Sequence, residues 1–131
     1  MSEVCYVLDS EGLSKSVLGD PVMKARMKEA HRAGIRVVTS SMTLIEAYHA
    51  KVPHAAWKWF LSRIVVEPVT EDVAEAAISL LRNTGLHGHK YAIDAALAVI
   101  AGRQRGRATV YTSDEDDMRK LCGPSVLVRA V

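Results

Sequence analysis

Four carboxylates stand at the ends or beginnings of segments that are otherwise apolar. Asp9 closes "VCYVLDS", Glu46 lies inside "SSMTLIEAYHA", Asp94 interrupts "KYAIDAALAVIAG", and Asp114 follows "VYTS". From Tyr91 to Ala101 every side chain except Asp94 is apolar or amphipathic, and burying an unpaired carboxylate is costly. Carboxylates gathered in a cleft repel one another, so either they take up protons or a cation neutralises them. Oxygen donors without a Cys or His set select a hard divalent ion, Mg²⁺ or Mn²⁺. Such a site can activate water and shield a phosphodiester during in-line attack. The chemistry suggested is metal-dependent hydrolysis of nucleic acid.

Each acid also has an ordinary structural explanation. Asp9 can cap a short helix at "SEGLS" or start a turn. Glu46 follows Thr43 at capping-box spacing, although Ser40 or Ser41 makes a better helix start. Asp94 can pair with Lys90 one turn earlier, in the poorer order, for about 0.2–0.5 kcal/mol. Asp114, Asp116 and Asp117 suit the first turn of a helix, with Asp114 as a natural cap. These explanations serve the acids singly and leave unexplained the apolar context that Asp9, Glu46 and Asp94 share.

The elements that must position the acids follow from periodicity. "EVCYVLD", "IRVVTS", "RIVVEPV", "ATVYTSD" and "SVLVRAV" have strand length and β-branched content. Between them, "DPVMKARMKEAHRAG" reads as a helix with Asp20 as cap, Pro21 in first position and Gly34 at its close. Further helices are expected at about 41–50, 54–63, 71–84, 90–102 and 114–122. Strands apolar on both faces and alternating with helices predict an open α/β sandwich around a parallel sheet. Ligands gather outside the carboxyl ends of such strands, which is where the acids fall.

The composition agrees with that frame. The 131 residues, 49% hydrophobic and 24% charged, read as one soluble domain over 1–131 with no repeat or linker. The apolar run at 91–101 is short of the roughly 20 residues that span a bilayer, so no membrane association is expected. The N-terminus shows no basic segment followed by an apolar stretch, and a cytoplasmic address is expected. Cys5 and Cys122 form no metal spacing and read as buried thiols. A net charge of +2 permits a polyanionic partner without demanding one.

Four segments in order, "YVLDSEGL", "TSSMTLIEAYHA", "HKYAIDAALAVIA" and "ATVYTSDEDDMRKL", resemble the PIN-domain nucleases, and within them the VapC-type ribonuclease toxins of toxin–antitoxin pairs. The resemblance covers nearly the whole chain. It implies a PIN-like three-layer sandwich with a central parallel sheet of four or five strands, and a Mg²⁺- or Mn²⁺-dependent endoribonuclease. It also implies a cognate antitoxin and a homodimer. Carried over by position, Asp9, Glu46, Asp94 and Asp114 are the catalytic and metal-binding quartet, and Asp117 is an additional metal-binding acid. Thr112 and Ser113 match hydroxyls beside the site, or else cap the following helix. Ser10 departs from the Thr or Asn usual after the first acid, and keeps a hydroxyl.

Other residues bear on partners. Arg103, Arg105 and Arg107, in "AGRQRGRATVYTSD", can hold RNA phosphates near the metal site or form a solvated loop after a helix end, and Ser113 is a further candidate RNA contact. Trp57 and Trp59, two apart on a helix, cannot both enter one core. His87 and His89 have no zinc spacing and read as surface residues, with phosphate contacts as the alternative. Tyr48, Trp57 and Phe60 are candidates for an antitoxin groove or homodimer face. Two alternatives stand beside the enzyme. One is a catalytically silent PIN-like module that binds RNA or protein. The other, a receiver or phosphoryl-transfer domain, lacks both an acid pair at the first strand and a Lys closing the last.

Overall fold

A computed structural model describes residues 3–131. The chain alternates strand and helix as β1 (Val4–Leu8), α1 (Ser10–Leu18), α2 (Pro21–Ala33), β2 (Arg36–Ser40), α3 (Ser41–Ala47) and α4 (His54–Leu61). It continues through β3 (Val65–Glu67), α5 (Glu71–Thr84), α6 (Gly88–Gly102), β4 (Arg107–Thr112), α7 (Glu115–Cys122) and β5 (Leu127–Ala130). All strand pairings are parallel, in the order β3-β2-β1-β4-β5.

Alternation along β1 shows why both faces are covered. Cys5 and Val7 join a core with Val38, Val110, Ala95–Ala101 of α6 and Met118 of α7. Tyr6 and Leu8 point the other way, to Leu13 of α1, Met23 of α2 and Trp57 and Phe60 of α4. The three-layer arrangement follows. β1 is central, and the chain leaves it on one side toward β2 and returns on the other through β4. The crevice at the carboxyl ends of β1 and β4 is therefore the topological switch point, where α/β folds place ligands.

Local signals explain most element ends. The Asp20 carboxylate accepts from Met23 N at 3.1 Å, with Pro21 in first position. Thr70 caps α5 through Val73 N, and Ser40 caps α3 through Thr43 N. Some elements differ from the periodicity. The short helix expected at "SEGLS" continues to Leu18, where Gly19 adopts φ 82° and ends it. β3 is only three residues long, because Pro68 has no N–H to continue the ladder. α3 stops at Ala47, several residues short of the expected 50.

Gly12 lets α1 sit close to the end of β4. A Cβ there would lie 3.2 Å from the Tyr111 carbonyl oxygen and 3.3 Å from Val131 Cγ1. This close approach brings the first residue after β1 beside the segment that follows β4.

Candidate functional site

Asp9 is buried at the end of β1 and both its carboxylate oxygens are engaged. Oδ1 accepts from Gly12 N at 2.8 Å as the cap of α1, and Oδ2 accepts from Ser113 N at 2.9 Å. The capping role open from sequence is thus real. It does not exhaust the group, since a carboxylate oxygen that accepts one hydrogen bond retains a second lone pair. Thr39 on β2 donates its hydroxyl to Leu8 O at 2.8 Å, which ties down the same strand end.

The other acids are not consumed by structural roles. Glu46 lies six residues after the cap of α3, Ser40, so it closes no capping box, and it is exposed. Asp114 precedes α7 in the cap position, yet its side chain makes no capping hydrogen bond. Its own N–H instead donates to Thr112 Oγ1 at 3.0 Å. Among the described residues, Asp94 forms no ion pair with Lys90 or any other cation. Asp94 is half-buried at the point where α6 enters the core.

The electrostatics reveal the convergence. The Asp94 carboxyl is pushed up to about 6, first by burial and then by the negative charges of Asp9, Glu46, Asp114 and Asp117. Four acids from three other segments thus act on Asp94 at the carboxyl end of the sheet. Asp114 is also raised, by burial and then by Asp117. Asp117 is lowered, chiefly by the Tyr91 hydroxyl, and lies 3.8 Å from Lys120 Nζ. Among the described residues, no three His, Cys, Asp or Glu side chains already stand close enough to hold a metal ion. The carboxylates share a field without closing a coordination sphere. The donor chemistry fits a hard divalent ion: every donor is oxygen, and none of Glu46, Asp94 and Asp114 is ion-paired with a side-chain cation among the described residues.

The structure does not bring the three arginines to the acids. Arg107 begins β4 and pairs in register with Val4 at the amino end of β1. Arg103 is ion-paired with Asp72, and Arg105 Nε lies 3.9 Å from Glu3. The six residues of β4, at ~3.3 Å each, put Arg107 roughly 17 Å from the acid end. The expectation that Arg103, Arg105 and Arg107 hold RNA beside the metal site is corrected accordingly, because a loop that precedes a strand sits at the end opposite the one that follows it. Ser113 does reach the site, through its backbone N–H to Asp9. Asp116 is exposed.

Lys90 and Tyr91 belong to the site's rim, and the sequence pattern alone presents them only as a helix pair. Lys90 Nζ lies 5.1 Å from the centre of the Tyr91 ring. The signal available is their spacing of four and three residues before Asp94, which places all three on one helix face. The remaining expectations sort by burial. Trp57 and Phe60 are buried in the chain's own core, so neither offers a free face, although Phe60 lines a groove; Trp59 is 61% exposed and Tyr48 46% exposed. Cys5 is buried, and Cys122 is pushed up to about 12 by burial and by Asp94, so neither is a reactive thiol.

A second concavity lies away from the acids. A groove of about 540 Å³ between α2, α4 and β2 is floored by Met27, Ile35, Val37 and Ile64. Lys24, Lys28, His31 and Arg63 rim it, with no acid in its lining. Arg63 lies 5.2 Å over the Trp59 ring and its Nη2 is 3.1 Å from His31 Nδ1.

No protein-family model matches the chain, and no curated protein matches it in sequence. A chain of VapBC2 from Rickettsia felis, solved bound to a DNA fragment from their promoter, superposes with a TM-score of 0.69. The match covers 98% of each chain at 14% identity. At that identity the likeness shows the fold: an α/β, PIN-like sandwich with a five-stranded parallel sheet flanked by helices. No helix is long and apolar enough to cross a membrane among the described residues.

Proposed function

We propose that this chain is a Mg²⁺- or Mn²⁺-dependent endoribonuclease and the toxin of a type II toxin–antitoxin pair. The observation that carries the reading is the raised Asp94 carboxyl, burdened at once by Asp9, Glu46, Asp114 and Asp117. A protein retains such a repulsive cluster at a switch point when a cation is to be held there. Asp9, Glu46, Asp94 and Asp114 are the residues that would hold the ion, with Asp117 beside them. When bound, a divalent ion supplies charge neutralisation and Lewis-acid polarisation of the phosphodiester. The chain's own part is positional: Asp9 is locked between Gly12 N and Ser113 N, and the half-buried Asp94 is shielded in part from water.

The toxin part rests on the fold likeness to a VapBC complex and on the basic-rimmed apolar groove. That groove suits an antitoxin segment with apolar anchors and acidic flanks. The same reading includes a homodimer, for which the exposed Met42 and Ile45 of α3 are apolar side chains that a second copy would cover. One observation favours a catalytically silent binding module instead: among the described residues the acids are not already gathered for an ion. Incubating the purified protein with structured RNA and Mn²⁺, with and without chelator, separates the two. Discrete cuts abolished by the chelator and by Asp94→Asn are expected; intact RNA under all conditions would leave only the binding module.

A further inference from the structure

Lys90 and Tyr91 occupy the rim of the acidic cleft and are not explained by packing. Lys90 is exposed on α6 one turn before Asp94, yet among the described residues it closes no ion pair with a carboxylate. Its ammonium lies across the Tyr91 ring instead. The Tyr91 hydroxyl holds the Asp117 carboxyl on α7 below the ordinary carboxylate range. The pair therefore stands on α6 one turn before Asp94. The charge on Lys90 is held by Tyr91 and reinforced by Asp117 and Asp114.

Lys120 on α7 is already engaged, its Nζ 3.8 Å from Asp117, and the arginines of the loop before β4 lie at the far end of the sheet. An RNA strand approaching five acids meets repulsion at every phosphate except one held by a metal. A cation fixed at the rim, not neutralised by a direct partner, offsets that repulsion for a flanking phosphate.

We propose that Lys90 binds an RNA backbone phosphate flanking the carboxylate cleft, and that Tyr91 is the positioning residue that holds the ammonium there. The inference rests on the ribonuclease reading. Its test measures binding apart from cleavage: anisotropy of a fluorescein-labelled single-stranded oligoribonucleotide over a range of salt, in the Asp94→Asn chain. Lys90→Met is expected to weaken binding several-fold and to reduce the slope of log K against log salt by about 0.7, the loss of one phosphate contact. Lys90→Arg restores the slope. In the cleaving chain, Tyr91→Leu, which removes the ring beneath the ammonium, raises KM by a larger factor than it lowers kcat. Unchanged affinity and slope in Lys90→Met, or no rescue by Lys90→Arg, would overturn the proposal while the parent still binds and cuts RNA. A parent that neither binds nor cuts RNA removes the ribonuclease reading and this inference together.

Discussion

The carboxylate of Asp9 accepts a hydrogen bond from the backbone N–H of Ser113 at 2.9 Å, across 104 residues of sequence. The same side chain caps α1 through Gly12 N at 2.8 Å. One buried acid thus fixes the two lips of the switch-point crevice to each other, and the register of Asp114 relative to Asp9 depends on it.

Asp9→Asn should therefore damage the fold as well as any activity. An amide has one acceptor oxygen, so one of the two N–H donors would face an NH₂ group. The expected cost is about 1–3 kcal/mol, read as a lower midpoint in urea unfolding. An Asp9→Asn chain as stable as the parent would contradict the double-acceptor role.

Asp94 should behave in the opposite way in the metal-free protein. Its folded value of about 6 lies above the ordinary 3.8, so between these values the folded chain keeps a proton that the unfolded chain has released. Stability is therefore withdrawn as pH rises through that window. Asp94→Asn is expected to abolish the trend and to stabilise the metal-free chain at pH 8 by about 1 kcal/mol, with solvent at the rim screening the remainder. Calorimetric melting from pH 4 to 8 checks both. Adding Mn²⁺ should raise the melting temperature of the parent above pH 6 and not that of Asp94→Asn.

Replacing Arg103, Arg105 and Arg107 together with Ala should leave Mn²⁺ affinity and the rate of RNA cleavage within about threefold, since roughly 17 Å of strand exceeds a Debye length of ~8 Å. A much larger loss, measured with the same RNA and ionic strength, would mean that RNA wraps to the amino end of the sheet.

Trp59 is a further test, of the groove. Being 61% exposed, it should tolerate Trp59→Ala with a stability change within about 0.5 kcal/mol. Affinity for an antitoxin seated in the groove should fall by about 2 kcal/mol or more, as for an aromatic anchor at an interface. Titration calorimetry with the product of a small neighbouring open reading frame reads the loss. Full affinity in Trp59→Ala would place that partner elsewhere.

Local chemistry makes much of this legible in advance. Alternation of apolar residues announces strands on a covered sheet, and Asp20, Pro21 and Gly34 mark a helix with its ends because caps act within four residues. The same logic places Asp9 and Asp114 directly after strands, while Glu46 and Asp94 lie about two turns into their helices. What periodicity does not express is which end a connecting segment occupies and where a long side chain turns. Arg103, Arg105 and Arg107 are near Asp114 in sequence, but a strand intervenes, and a strand transports its two flanks to opposite ends. Lys90 has two equally local partners, Asp94 and Tyr91, and its ammonium lies over the Tyr91 ring.

By itself, then, the sequence determined the order and type of the elements and the set of acids, because both follow from short-range sterics, hydrogen bonding and the burial of apolar faces. Only the tertiary structure decided that Asp9 bonds to Ser113, that Asp9, Glu46, Asp114 and Asp117 all burden Asp94, and that the arginine loop faces away. Those facts depend on contacts between segments far apart in the chain, among them the close approach of α1 to the end of β4 at Gly12.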